Sequence, residues 1–203
     1  ADGVSAVFGM GVEVADSDVL LFATQKSLAL PPGMSIIIPN SRAIDRAKMV
    51  KGRGYYFDFL LLKRRSDENM TTTTPALPIL YALRYKLQEI RKQGIGNYIN
   101  SQQAMAELVR SEIRGMGFKL FVPSSYSNTV TVISNNLGID TEGLIRLLSE
   151  NGYVIENGYG PLKNKTFRIS HMGDITLKDT EQLLKEMDKI IKTIMPEHKH
   201  ETG

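Results

Sequence analysis

Two short runs near the start of the chain, Val19–Ala23 and residues 34–38, place the tightest constraint on the fold. Each is continuously apolar rather than alternating, and each is bounded by turn signals. Asp16, Asp18 and Thr24 flank the first; Pro39-Asn40 closes the second, which carries Ile36, Ile37 and Ile38 in a row. Runs this short and this apolar suit strands covered on both faces, as in a parallel sheet flanked by helices. Residues 4–8 form a further apolar segment, followed by a Gly9-Met10-Gly11 turn. Ser41 reads as the N-cap of a short helix over 42–50.

Helical periodicity then takes over. Residues 80–93 carry apolar positions at Leu80, Leu83, Leu87 and Ile90. A longer helix is expected over 98–114, with Gly115 as its stop. Beyond it, strands are expected at 119–122, 129–133, 154–155 and 166–169. A helix capped by Asp140 spans Thr141–Glu150, and a last helix Leu177–Ile194 carries an apolar stripe. Strands and helices mixed with short connections make a small α+β unit. The domain boundary is placed near Gly94, giving domains 1–93 and 94–203.

The chain has 203 residues, 25 basic and 22 acidic side chains, and a net charge of +3. That balance is too even for a nucleic-acid track. The densest basic cluster, Lys63-Arg64-Arg65, is followed at once by Asp67 and Glu68 and reads as a solvated turn. With no cysteine there is no disulfide framework, thiolate metal site or Cys nucleophile, and the cytoplasm is the natural compartment. No apolar run approaches the roughly 20 residues needed to span a bilayer. The chain opens at Ala1-Asp2-Gly3, without methionine, on residues that read like a domain interior. A processed terminus or a missing N-terminal portion accounts for that start.

Several residues carry chemistry. Lys26 follows the first apolar run, and a desolvated lysine there is a nucleophilic amine suited to Schiff-base formation. The alternative is a lysine that snorkels to the surface from a strand end. Asp2 can pair with a protonated pyridine nitrogen, or serve a turn. Arg168, between apolar neighbours in "TFRIS", is either a bidentate carboxylate clamp or part of a structural ion pair. His171 is a weak signal, and the His198-Lys199-His200 tail suits a frayed end better than a metal. Gly9 and Gly11 lack the third glycine of a nucleotide fingerprint.

"ADGVSAVFG", "ATQKSLALPPG", "TTTTPALPILYAL" and "FRISHMGD", in this order and at these separations, resemble the class V aminotransferases of pyridoxal-phosphate fold type I. The likeness is strongest to the serine–pyruvate and alanine–glyoxylate branch, and it covers the C-terminal half of a family member. It implies an α/β fold: the remainder of a large cofactor-binding domain, mainly parallel sheet with helices, followed by a small α+β C-terminal domain. It further implies a pyridoxal 5'-phosphate enzyme that moves an amino group between a serine- or alanine-type amino acid and a pyruvate- or glyoxylate-type 2-oxo acid. Lys26 would be the Schiff-base lysine and its general base, Asp2 the partner of the ring nitrogen, and Val4 a contact to the ring face. Gln25 would help hold the phosphate. Thr74 would reach the phosphate of the neighbouring subunit of a homodimer, and Arg168 would bind the substrate carboxylate. Pro31-Pro32-Gly33 would turn the chain so that Lys26 points into the site.

The sequence also departs from the family. Thr24 stands where serine is commoner and keeps the hydroxyl; Ser170 replaces a glycine. Thr71 takes the place of a frequent phosphate-binding tyrosine and is a cofactor candidate by position. The glycine- and serine-rich phosphate loop and the aromatic that stacks on the cofactor belong to the other half, which a separate chain could supply. Within the same fold, a phosphoserine aminotransferase is an alternative. A cysteine-desulfurase-like lyase ranks below it, since Gln25 precedes the lysine and cysteine is absent. A different class of answer is a non-enzymatic fragment that needs its other half.

Overall fold

The computed structural model describes residues 1–195, so His198 and His200 lie outside the described residues. The chain divides into two compact units, Ala1–Ile95 and Gly96–Gly203. No helix among the described residues is long and apolar enough to cross a membrane.

In the first unit, β1 (Val19–Ala23) and β2 (Ser35–Pro39) pair antiparallel, with Leu21 opposite Ile37. This corrects the parallel, doubly covered reading of residues 34–38. A parallel return needs a crossover of a dozen or more residues, usually a helix; the chain between these strands instead closes as a loop on Thr24. β2 is accordingly only partly covered, with Ile37 and Ile38 exposed. Parallel pairing does occur at Asp2, which bridges Leu21. Residues 4–8, expected as an apolar segment, form turns: Ala6 and Val7 both donate backbone N–H groups to the Gly3 carbonyl. Leu20, Phe22 and Leu28 are buried, and Phe22 meets Phe8 edge-on at 5.9 Å.

Three helices follow in this unit. α1 (Ser41–Met49) is capped by Asn40, whose Oδ1 accepts the Ala43 N–H at 3.0 Å. The cap is therefore one residue earlier than Ser41, because Asn40 is the residue in extended conformation with its side chain over the first turn. α2 (Phe59–Asp67) contains Lys63, Arg64 and Arg65, so this basic cluster lies on a helix and not in a turn. Asp58 caps it through the Leu60 N–H. α3 (Leu77–Gln93) starts with Pro78 in its first turn, where proline's missing N–H costs nothing.

α4 (Ile95–Gly115) leads into the second unit. There β3 (Lys119–Leu120), β4 (Val130–Ser134), β5 (Glu156–Asn157) and β6 (Thr166–Ser170) form an antiparallel sheet in the order β3-β4-β6-β5. β5 lies two residues beyond the expected 154–155, because Ile155 turns into the core while Glu156 pairs with Arg168. α5 (Thr141–Glu150) and α6 (Leu177–Ile194) pack on each other. Their residues Leu144, Leu148, Leu184 and Met187 join Ile133, Phe167 and Ile169 of the sheet in one buried core. Phe118 and Phe167 meet edge-on at 5.3 Å within it.

α6 begins with a capping box. Asp179 N–H donates to Thr176 Oγ1 at 3.2 Å, and Thr176 N–H donates to Asp179 Oδ2 at 2.9 Å. The Thr176 hydroxyl, which donates to the same Oδ2 at 2.6 Å, and then the Thr176 N–H hold the Asp179 carboxyl below the ordinary aspartate range. Thr176→Ala is expected to lower stability by about 1 kcal/mol, read as an earlier urea midpoint with an unchanged slope.

Candidate active site

The loop after β1 is closed at its base by one residue. Thr24, wholly buried, donates its N–H to the Met34 carbonyl at 3.2 Å and accepts the Leu30 N–H at 3.1 Å. Its hydroxyl donates to the Pro31 carbonyl at 2.9 Å. Ser27 and Leu28 are buried beneath the loop. The Ala29 N–H closes a turn onto the Lys26 carbonyl at 2.8 Å, with Ala29 at a φ of 55°. Gly33 has a φ of 132°, and a Cβ there would stand 2.9 Å from Ile79 Cδ1, so the Pro-Pro-Gly corner needs its glycine.

Lys26 rides on this braced loop. Its side chain is half-buried, and among the described residues no hydrogen bond or ion pair engages its ammonium. A primary amine on a fixed backbone, with no carboxylate partner, is available to a carbonyl carbon. Gln25 beside it is exposed.

Asp2 stands beside β1, and Val4 follows it in a turn. The Gly3 N–H donates to the Leu21 carbonyl at 2.8 Å, and Leu21 N–H to the Ala1 carbonyl at 3.1 Å. This pairing sets Asp2 opposite Leu21, the middle residue of β1. Asp2 Oδ1 accepts the Val4 N–H at 3.0 Å, and the carboxylate is otherwise exposed. A Cβ on Gly3 would lie 2.6 Å from Val7 Cγ2 and 3.0 Å from Leu20 Cδ1, which explains the glycine between them.

A cleft of about 630 Å³ opens in this unit, bordered by Gln25, Ser35, Tyr56, Phe57, Thr71 and Thr72 among others. Gln25 and Thr71 are thus brought to one cavity, while Asp2, Val4, Lys26 and Thr74 do not line it. Thr71 donates its hydroxyl to the Thr73 carbonyl at 2.7 Å, and Thr74 is exposed. The aromatic rim is a feature the motif reading passed over. Its signal was present as Tyr55-Tyr56-Phe57 between Gly54 and Asp58, and these rings are 61–73% exposed.

An ion pair anchors that aromatic loop. Arg53 Nε meets Asp58 Oδ1 at 2.9 Å, and Arg53 also donates to the Ala47 and Val50 carbonyls. Arg53 holds the Asp58 carboxyl below the usual aspartate range, with the Leu60 N–H adding to the effect.

Arg168 lies in the second unit, opposite Val132 on β4 and Glu156 on β5. Its neighbours Phe167 and Ile169 point into the core, so alternation turns Arg168 to the other face. Its Nε donates to the Asn157 carbonyl at 3.0 Å, and its Nη2 stands 3.9 Å from Glu156 Oε2. The ion pair expected as one of the two readings is present, but it is long, and Glu156 is mostly exposed.

His171, a weak signal in the sequence, is a core residue. It is fully buried, with Nδ1 2.8 Å from the Asn128 carbonyl and Nε2 2.9 Å from Thr131 Oγ1. A carbonyl only accepts, so Nδ1 carries the proton and Nε2 accepts from the threonine hydroxyl. Burial pushes its pKa down to about 4, and the charge of Arg110 acts in the same direction.

No family model matches the chain. The fold is nevertheless that of fold type I aminotransferases, which are pyridoxal-phosphate enzymes. An alanine–glyoxylate aminotransferase from Nostoc superposes with a TM-score of 0.85 at 26% identity, over 94% of this chain and 52% of that one. Over nearly its whole length the chain is similar in sequence to aminotransferases. An uncharacterized aminotransferase of Methanocaldococcus jannaschii is 31% identical over 94% of this chain and 53% of its own. A serine–glyoxylate aminotransferase of Methylorubrum extorquens is 29% identical over 86% of this chain and 46% of its own. The chain spans about half the length of the curated relatives it matches.

The depressed pKa of His171 makes stability depend on pH. Its folded pKa of about 4 lies below the ordinary 6.5, so unfolding takes up a proton between these values. Stability from this residue is full above pH 6.5 and falls as pH drops toward 4. The loss amounts to about 3 kcal/mol and levels off below that. Amide exchange at Ile133 and Phe167 across this range should follow the curve, and His171→Leu should flatten it.

Proposed function

We propose that this chain carries the lysine-bearing part of a pyridoxal-phosphate aminotransferase that moves an amino group between a serine- or alanine-type amino acid and a pyruvate- or glyoxylate-type 2-oxo acid. The observation that carries the reading is the Lys26 ammonium, unengaged on a loop braced at its base by Thr24. The donor set fits the cofactor. Lys26 offers an amine for its aldehyde, and Asp2 a carboxylate with one backbone N–H upon it for its cationic ring nitrogen. Gln25 and Thr71 offer an amide and a hydroxyl toward its phosphate. When bound, the cofactor supplies an electron sink for the substrate Cα.

The chain's own residues supply the rest. Lys26 takes the proton from the substrate Cα and returns it one position away, as a positioned amine can within hydrogen-bond reach. Asp2 keeps its partner nitrogen protonated through charge pairing, and Val4 packs against the ring. Arg168 orients the substrate through its carboxylate, a planar fork meeting a planar anion.

The same proposal includes a homodimer with shared sites, Thr74 reaching the cofactor phosphate of the neighbour. Its support is the exposed apolar surface of the first unit, where Leu77, Leu80, Tyr81 and Tyr85 lie on one side of α3. It also includes a cytoplasmic location, with domains of the large cofactor-binding and small C-terminal type.

Borohydride reduction of the protein loaded with pyridoxal phosphate, followed by peptide mass mapping, should find the pyridoxyl group on Lys26. Lys26→Ala should lose the adduct and lower turnover by at least about 100-fold. An adduct on another lysine, or an active alanine variant, would sink the assignment.

A further inference from the structure

We propose that His171 is the positioning residue for Arg168: its ring pins the end of β6 and so fixes where the guanidinium stands. This rests on the reading of Arg168 as the carboxylate clamp. The strand has support on both sides at Thr166, Phe167 and Arg168, which lie beside Gly158, Asn157 and Glu156. From Ile169 onward only β4 remains alongside. A strand end with one neighbour frays readily, and a slip of two residues would carry Arg168 about 7 Å along the sheet while keeping its face.

His171 meets this weakness at three points. Its backbone N–H extends the ladder to the Thr129 carbonyl at 3.1 Å. Its Nδ1–H donates to the Asn128 carbonyl, and its Nε2 accepts the Thr131 hydroxyl. The ring thus grips β4 and the residues before it from the core face, while Arg168 projects from the opposite face of the same strand. Two residues on, Gln102 of α4 donates Nε2–H to the Gly173 carbonyl at 3.3 Å and ties down the chain leaving the strand. A leucine would fill the core volume without either side-chain hydrogen bond. A buried imidazole with both nitrogens committed is a directional fastening, one that apolar packing does not provide.

The test compares Arg168→Lys, His171→Leu, His171→Asn and Thr131→Val in the complete holoenzyme, with steady-state kinetics and amide exchange side by side. His171→Leu should raise KM for the carboxylate substrates about tenfold with kcat within about twofold. It should also speed exchange at the Ile169 amide and at the amide of residue 171, which face β4, about tenfold relative to Ile133. Thr131→Val should move both readouts in the same direction by less. His171→Asn, which keeps a donor for Asn128, should recover part of each.

If Arg168→Lys leaves KM unchanged, the clamp reading fails, and the inference built on it falls too. If Arg168→Lys raises KM but neither His171→Leu nor Thr131→Val does, the clamp stands and the positioning role is overturned. Unchanged exchange at the Ile169 and residue-171 amides in both core variants overturns it as well. Should His171→Leu fail to fold, Thr131→Val, which removes a single oxygen, decides the matter.

Discussion

Thr24 is the residue on which the first unit's chemistry depends. Its hydrogen bonds, two through the backbone and a pair shared by the hydroxyl between the Pro31 and Met34 carbonyls, close the loop between β1 and β2. That closure forces β2 back antiparallel, and it leaves Gln25 and Lys26 displayed above buried Ser27 and Leu28. A side-chain hydroxyl bonded to a local carbonyl competes with regular secondary structure, and here the competition is decided in favour of a loop. The substitution of threonine for the commoner serine keeps that hydroxyl. Its extra methyl group adds to a site that is already fully buried.

Helices were largely legible in the sequence because their period repeats over many residues. Leu177–Ile194 has its expected ends, since Thr176 and Asp179 mark the start chemically as well as by pattern. α2 went unread because its apolar residues, Phe59 to Leu62, are consecutive and carry no clear stripe. The strands were found but not their pairing. Continuous apolar runs mean burial on both faces in a parallel sheet, yet Ile37 and Ile38 lie exposed on an antiparallel strand. Nothing in such a run tells the direction of its neighbour; that is settled by how the intervening loop closes.

For the site, chemistry-bearing residues could be nominated singly, but their environments could not. Gln25 and Thr71, far apart in sequence, border one cleft. Its aromatic rim depends on Arg53 and Asp58, an ion pair only partly exposed, whose role is invisible without the fold. His171 shows the same limit. A lone histidine is a weak signal in the sequence, whereas burial and two committed nitrogens make it structural at neutral pH. Arg168 and His171, three residues apart, turn to opposite faces of the sheet, a consequence of the two-residue strand period.

Under the proposed function, the two principal groups are prepared in contrasting ways, and the contrast follows from their tasks. An orienting cation must lose little freedom when it binds its anion, so prior restraint helps it. Arg168 is held through Nε by the Asn157 carbonyl and steered at Nη2 by Glu156 at 3.9 Å, too long and too exposed a pairing to compete strongly with a bidentate carboxylate. A reacting amine must instead change partners during turnover, and any firm ion pair would have to break each time. Lys26 has its backbone fixed through the Ala29 turn while its side chain is left without a partner among the described residues. Rigidity is thus applied to the main chain of one residue and to the side chain of the other. A loop closed by Thr24 suits the first requirement, and a sheet face beside β5 suits the second.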